Sequence, residues 1–395
     1  MNYIFSDKVS ALKPSAIREI LKNSSAPGTI AFSAGNPSPD AFPVKEITEI
    51  SNKLLTENPS SALQYGITEG YAPLRDVLKK RLAKEKSFNA DMDELIITAG
   101  AQQVMDTATK SLCNEGDVII CEAPSFIGSL NSFRSYGAKL VGVPMEDDGM
   151  NTEALEEALK NNQNVRFIYV IPNFQNPTGI TTSFEKRKEI YRLAQKYDTI
   201  ILEDNPYGDL RFRGADIPSI KSLDTDGRVI YAGSFSKVLS PGMRVGYTSA
   251  PKEICSKMTV CKQVSDVHTN LWAQIIAYKF MTEYDFEGHL ARIRNLYKEK
   301  AEFMNDCLNK YFKDEIKFTN PDGGLFVWCK LPQNIDTAEF CKKAAENKVA
   351  VVPSNAFSVD LAEKPFGFRI TYSTPSKEEI EKGISILKEI LDSYK

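Results

Sequence analysis

Residues 165–205, VRFIYVIPNFQNPTGITTSFEKRKEIYRLAQKYDTIILEDN, read as strand, turn, helix and strand. VRFIYVIP (165–172) and TIILEDN (199–205) are nearly unbroken apolar runs, the pattern of strands covered on both faces. Between them, TTSFEKRKEIYRLAQKYD (181–198) puts Ile190, Leu193, Ala194 and Tyr197 on one helical face, with Thr182 and Glu185 as the expected capping box. The same alternation continues outward. ELIITAG (94–100), DVIICEAP (117–124), AKLVGVPM (138–145), RVIYAGSFS (228–236) and VGYTSAP (245–251) read as further strands with helical patterns between many of them. This argues for an α/β domain built on a large, mostly parallel sheet with helices on both faces.

That domain is expected over 45–284, preceded by an N-terminal arm over 1–44. A long amphipathic stretch at 285–312 reads as a connecting helix. Beyond it, IKFTNP (316–321), LFVWCKLP (325–332), VAVVPS (349–354) and FGFRITYS (366–373) alternate with helical patterns. The last helix aligns Ile380, Ile384, Leu387 and Leu391. Residues 285–395 therefore read as a smaller α+β domain. A length of 395 residues suits about two or three domains.

Composition excludes several chemistries. There are two histidines, His268 and His289, so a multi-histidine metal site is ruled out and no metal is expected. No glycines are spaced G-x-G, which removes the dinucleotide fingerprint, and no G-x-x-x-x-G-K loop occurs. The seven cysteines are odd in number and form no C-x-x-C, which fits reduced thiols in a cytoplasmic protein. A net charge of −3 gives no footprint for nucleic acid, and no apolar run is long enough to span a membrane.

In α/β sheets, ligands gather at the carboxyl ends of strands. In SFSKVLSPGMRVGY (234–247), Lys237 follows a strand and lies among Ser234, Ser236 and Ser240, with Arg244 seven residues on. Burial there would depress the amine and let it attack a carbonyl, while the serines and the arginine suit a phosphate. Taken alone, the position suits a solvated loop lysine better. Asp204 ends an apolar strand and needs a cation or hydrogen bonds, although capping of the next turn is the plainer alternative. By alternation, Glu203 faces the other way. In PNFQNPTG (172–179), Asn173 and Asn176 project from a fixed turn that need not bind anything. Gly100, Ala101 and Gln102 stand where a strand meets a helix, whose N–H groups could face an anion. Pyridoxal phosphate accounts for all four at once: it needs a lysine, a carboxylate at its ring nitrogen, donors for its phenolic oxygen and a phosphate cradle.

With NPTG (176–179), EDNPYGDL (203–210) and SFSKVLSPGMRVGY in this order, the chain resembles the fold-type I pyridoxal-phosphate aminotransferases of class I/II over essentially its whole length. It looks closest to the branch of 2-aminoadipate, kynurenine and aromatic aminotransferases, which also supplies part of the MocR-type regulators. The resemblance implies that Lys237 forms the Schiff base, Asp204 pairs with the ring nitrogen, and Asn176 and Tyr207 hold the phenolic oxygen. It implies that Phe126, in CEAPSFIG (121–128), stacks on the ring. Ser234, Ser236, Arg244, Gly100, Ala101 and Gln102 would hold the phosphate. Tyr65 would reach the phosphate of the neighbouring subunit in a homodimer with shared active sites. Arg369 would clamp the substrate α-carboxylate with help from Asn173 and Gly35, and Arg18 would meet the substrate side chain. The family's AGGLPSP stands here as AGNPSP (34–39), so Asn36 alters a substrate-facing turn.

The expected activity is transfer of an amino group between an α-amino acid and 2-oxoglutarate by a ping-pong cycle. A β-eliminating lyase on the same fold is the alternative. A cofactor-binding regulatory module is disfavoured by the net charge of −3 and by the few residues ahead of the sheet domain.

Overall fold

The computed structural model describes residues 1, 3–6, 10, 27–86, 88–89, 91–360 and 362–395. Its strands are β1 (Ile30–Ala31), β2 (Asp93–Thr98), β3 (Val118–Ala123), β4 (Lys139–Glu146), β5 (Gly149–Met150), β6 (Val165–Val170) and β7 (Ile200–Asp204). They continue as β8 (Val229–Ser234), β9 (Gly246–Pro251), β10 (Lys317–Phe318), β11 (Phe326–Lys330), β12 (Val349–Ala350), β13 (Val352–Pro353) and β14 (Phe368–Thr371). Eight of them form one sheet in the order β2-β9-β8-β7-β6-β3-β4-β5. The pairs from β8 through to β4 are parallel. Strand β9 runs antiparallel to both its neighbours, and β5 folds back on β4.

The unbroken apolar runs are explained by burial on both faces. In β6, Phe167 and Tyr169 pack into one core cluster, whereas Ile168 and Val170 pack into another on the opposite side. In β7, Leu202 and Ile201 divide in the same way. The alternation also separates the two carboxylates that follow them. Glu203 accepts from the Ile220 and Lys221 N–H groups at 3.0 and 2.7 Å, while Asp204 turns to the other side.

The helix expected over 181–198 runs Phe184–Lys196, but its cap is Ser183. Ser183 Oγ accepts from Lys186 N. Thr182 stands one residue ahead of that cap, and its N–H goes to Pro172 O at 2.8 Å, so Glu185 has no Thr182 N–H with which to close the expected box. The connecting helix spans Phe286–Phe312 and is capped by Asp285. It leads to a small antiparallel sheet, β10-β11-β14-β13, covered by the helix Lys377–Asp392, whose Ile380, Ile384, Leu387 and Leu391 are all buried. Residues from the N-terminal stretch join this C-terminal part. β1 pairs with β12, and Phe32 O accepts from Thr371 N at 2.9 Å.

A buried ion cluster ties the far end of the large sheet. Lys221 Nζ donates to Asp93 Oδ1 at 2.7 Å, Asp224 Oδ2 at 2.9 Å and Val229 O at 2.8 Å. Its side chain has no solvent exposure. Lys221→Met leaves two carboxylates buried without their cation, and is expected to destabilise the fold by about 3–5 kcal/mol. Thermal unfolding checks this; an unchanged midpoint would show the cluster to be dispensable.

Candidate active site

Strands β3 and β6 lie side by side, but their following helices lead to strands in opposite directions, β4 on one side and β7 on the other. This is the switch point at which open α/β sheets place their ligands. A cavity of about 470 Å³ opens there. Phe126 enters from beyond β3, Asn176 from beyond β6, and Asp204 and Tyr207 from the end of β7. Ser234 ends β8, and Ser236 and Lys237 follow it. Because β9 is antiparallel, its start lies at the same sheet edge, and Arg244 arrives just ahead of it. Gly35 and Asn36 line the cavity from the N-terminal segment, and Arg369 lines it from β14 of the small sheet. Among the described residues, its charged lining is one carboxylate and three cations, an environment suited to an anionic ligand.

Asp204 is 4 % exposed. Its Oδ2 accepts from the Tyr169 hydroxyl at 2.8 Å, whereas Oδ1 is buried with no hydrogen-bond partner. Burial pushes the carboxyl up to about 7 against the opposing pull of Tyr169. A buried carboxylate oxygen left without a donor is costly unless a cationic N–H meets it.

Lys237 Nζ donates to Gly35 O at 2.8 Å. Burial, followed by the positive fields of Arg369 and Arg244, brings the amine down to about 8. That makes a substantial neutral fraction available near physiological pH, as a nucleophile requires.

Arg244 sits in the left-handed region, at φ 55° and ψ 48°. A non-glycine residue held there marks a site that the surroundings over-determine. Its guanidinium donates to Ala99 O at 3.0 Å and Pro241 O at 3.2 Å, and approaches Ser236 Oγ. Gly100 is required beside it. It has φ 78°, and a Cβ there would lie 2.6 Å from Arg244 Nη2. No side chain caps the helix Ala101–Leu112 that follows Gly100, so its first turn presents N–H groups to an anion.

Arg369 is 2 % exposed. It donates to Asn176 Oδ1 at 2.8 Å and to Ser33 O at 2.6 Å, while Nε has no partner. Its guanidinium lies over the Phe326 and Phe357 rings, with the centroids at 4.3 and 4.9 Å. Burial lowers its pKa to about 10, so it stays cationic at neutral pH. Asn176 Nδ2 reaches toward the Tyr207 hydroxyl at 3.4 Å, so one side chain bridges Arg369 and Tyr207. Gln102 Nε2 donates to Gly128 O at 2.9 Å, beside Phe126.

Three expected residues stand elsewhere. Asn173 does not line the cavity, because both ends of its amide are engaged: the carbonyl accepts from Arg187 at 2.7 Å and the amide donates to Asn205 at 2.9 Å. Arg187 is fully buried behind the turn and draws the amide to itself. Tyr65 is 81 % exposed and stands edge-on to His268, outside the cavity. Arg18 lies outside the described residues.

Reading the sequence missed Tyr169, Ser129 and Glu122. Glu122 is wholly buried and accepts from Ile171 N and Gln175 Nε2, each at 3.1 Å. Burial raises it to about 8, so it remains largely protonated at neutral pH. A carboxyl in an apolar strand was the available signal. Tyr169 offered only a hydroxyl in an apolar run.

The family model described as "Aminotransferase class I and II" matches residues 27–387. The chain is 38 % identical to aromatic-amino-acid aminotransferase 1 of Thermococcus litoralis, over 98 % of this chain and 94 % of that one. It is 36 % identical to the 2-aminoadipate transaminase of Thermus thermophilus, over 96 % of this chain and 94 % of the other. The crystal structure of Pyrococcus horikoshii kynurenine aminotransferase, in complex with PMP and kynurenine, superposes with a TM-score of 0.95 at 36 % identity, over 99 % of this chain and 97 % of that one.

Proposed function

Since the chain belongs to the class I and II aminotransferases, we propose that its cavity holds pyridoxal phosphate and that it passes the amino group of an α-amino acid to 2-oxoglutarate in a ping-pong cycle. The enzyme is of the aromatic, 2-aminoadipate and kynurenine type. The observation that carries the cofactor reading is the buried, unpartnered Oδ1 of Asp204 at the cavity wall. A protonated ring nitrogen is the group that fits it.

When bound, the cofactor supplies an aldehyde for an amine and a ring that accepts electrons from the substrate α-carbon. Asp204 Oδ1, buried without a partner, would accept from the ring N–H and hold its proton there. Lys237 Nζ, already brought down to about 8, would be the neutral amine for that aldehyde and the carrier of the α-proton. Asn176 and Tyr207, which line the cavity, would donate to the phenolic oxygen, and Phe126 would offer its face to the ring. The first turn after Gly100, at Ala101 and Gln102, would hold the phosphate together with Ser234, Ser236 and Arg244. Arg369 offers its remaining N–H donors to the α-carboxylate, beside Gly35.

We assign Tyr65 to a homodimer contact. Leu63, Tyr65, Ile67, Val267 and Trp272 are all exposed, and Leu63, Tyr65 and Trp272 share one surface pocket. Apolar exposure of this kind marks an interface. In a homodimer Tyr65 would reach the neighbouring subunit's phosphate.

The test is a half-reaction. The cofactor-loaded protein is mixed with each of a panel of aromatic, dicarboxylic and aliphatic amino acids. Aromatic amino acids and 2-aminoadipate should convert the lysine-bound cofactor spectrum to that of pyridoxamine phosphate, and 2-oxoglutarate should restore it. No conversion with any amino acid would refute the assignment. Arg369→Lys replaces a planar fork by a point charge. It is expected to raise the KM for amino acids about 10- to 100-fold, the scale of a lost charge-assisted hydrogen bond. Unchanged steady-state KM values would remove Arg369 from substrate binding.

A further inference from the structure

We propose that Tyr169, backed by Ser129, is a positioning residue that keeps Asp204 ionised on Oδ2 and leaves Oδ1 for the cofactor's ring nitrogen. This rests on the cofactor reading above. Strand register creates the contact. Tyr169 pairs with Leu202 across β6 and β7, and Asp204 lies two residues beyond Leu202 on the same face. The Tyr169 hydroxyl therefore meets Asp204 Oδ2 at 2.8 Å. Among the described residues, no other side chain bonds that carboxylate.

The hydroxyl has a second neighbour, Ser129 Oγ, also at 2.8 Å. It has one proton to give. The carboxylate is the stronger acceptor, so Tyr169 donates to Asp204 and accepts from Ser129. Ser129 N donates to Phe126 O at 3.1 Å, one turn from the ring assigned to stack on the cofactor. The helix Ile127–Ser135, which carries Ser129, also supplies Phe133, whose ring meets Tyr169 edge-on at 5.2 Å. Tyr169 is fully buried, so neither its ring nor its hydroxyl has room to turn away.

The direction of the effect follows from where the proton sits. Asp204 and the ring nitrogen share one proton. A donor on Oδ2 makes the carboxylate a weaker base and favours the proton on nitrogen, the form in which the ring best accepts electrons. Without that donor, the buried carboxylate competes for the proton and the ring moves toward neutrality.

Tyr169→Phe removes one O–H and keeps the ring packed on Phe133. Wild type, Tyr169→Phe and Ser129→Ala are each loaded with pyridoxal phosphate labelled with ¹⁵N in the ring. In Tyr169→Phe the nitrogen resonance is expected to move toward the unprotonated pyridine value, and the Kd for the cofactor to rise about 10- to 100-fold. Ser129→Ala should shift the resonance in the same direction by less. A wild-type resonance and Kd in Tyr169→Phe, or a wild-type resonance in Ser129→Ala should the first variant not fold, would overturn the proposal. Failure of the wild type itself to bind pyridoxal phosphate would overturn the cofactor reading instead.

Discussion

Lys237→Ala is expected to abolish the absorbance of lysine-bound cofactor and to lower turnover by at least about 10³-fold, since the same nitrogen serves as nucleophile and proton carrier. Its setting explains why no neighbour replaces it. Among the described residues, the cavity's other nitrogen cations are Arg244 and Arg369, and neither gives up a proton at neutral pH. Their fields and burial bring Lys237 down to about 8. Below that pH the amine is mostly protonated and cannot attack, so capture of free cofactor by the wild type should accelerate as pH rises through about 8 and then level off. Stopped-flow mixing with pyridoxal phosphate measures this. A pH-independent rate would mean that Lys237 is not the attacking amine, and a Lys237→Ala variant with full turnover would refute the mechanism as a whole.

Asp204→Asn carries the second large effect. An amide of the same shape cannot hold a proton on the ring nitrogen by charge. Turnover is expected to fall about 10²–10³-fold, the scale on which one electrostatic stabiliser acts in a catalytic site. The same substitution should stabilise the cofactor-free protein. Asp204 has a folded pKa near 7, above its unfolded value of 3.8. The folded form therefore binds a proton more tightly. Stability present at low pH is lost as pH rises from the unfolded toward the folded value, and above pH 7 the full cost of burying the ion remains. At pH 8 the cofactor-free Asn variant should melt above the cofactor-free wild type, with the order reversed once pyridoxal phosphate is added. If the Asn variant melts lower in both states, Asp204 is a structural carboxylate and the cofactor assignment loses its support.

Part of this site was legible because its residues announce themselves locally. Lys237, Arg244 and the serines stand together in one loop. Asp204 ends its strand, and Gly100 marks a strand-to-helix junction. All reach one cavity because strand ends in a parallel sheet share an edge. Asn173 shows the limit of that logic. It stands in the same turn as Asn176, yet Arg187, buried on a following helix, takes its carbonyl. Which of two neighbouring amides faces the cavity depended on a guanidinium whose burial no local pattern revealed. Thr182 likewise stands one residue ahead of the cap, Ser183, with its N–H taken by Pro172 O and so closed to Glu185.

Periodicity and strand-end position are local properties, so the alternation of buried strands and amphipathic helices, and the loop residues that carry the chemistry, can be read along the chain. What each charge meets depends instead on how distant segments pack. Tyr169 reaches Asp204 across 35 residues, and Arg369 reaches Asn176 across 193. Such hydrogen bonds exist only when strand registers and the docking of the small sheet are fixed to within fractions of an ångström. That distance sets whether a buried carboxylate is held ionised or left to take up a proton.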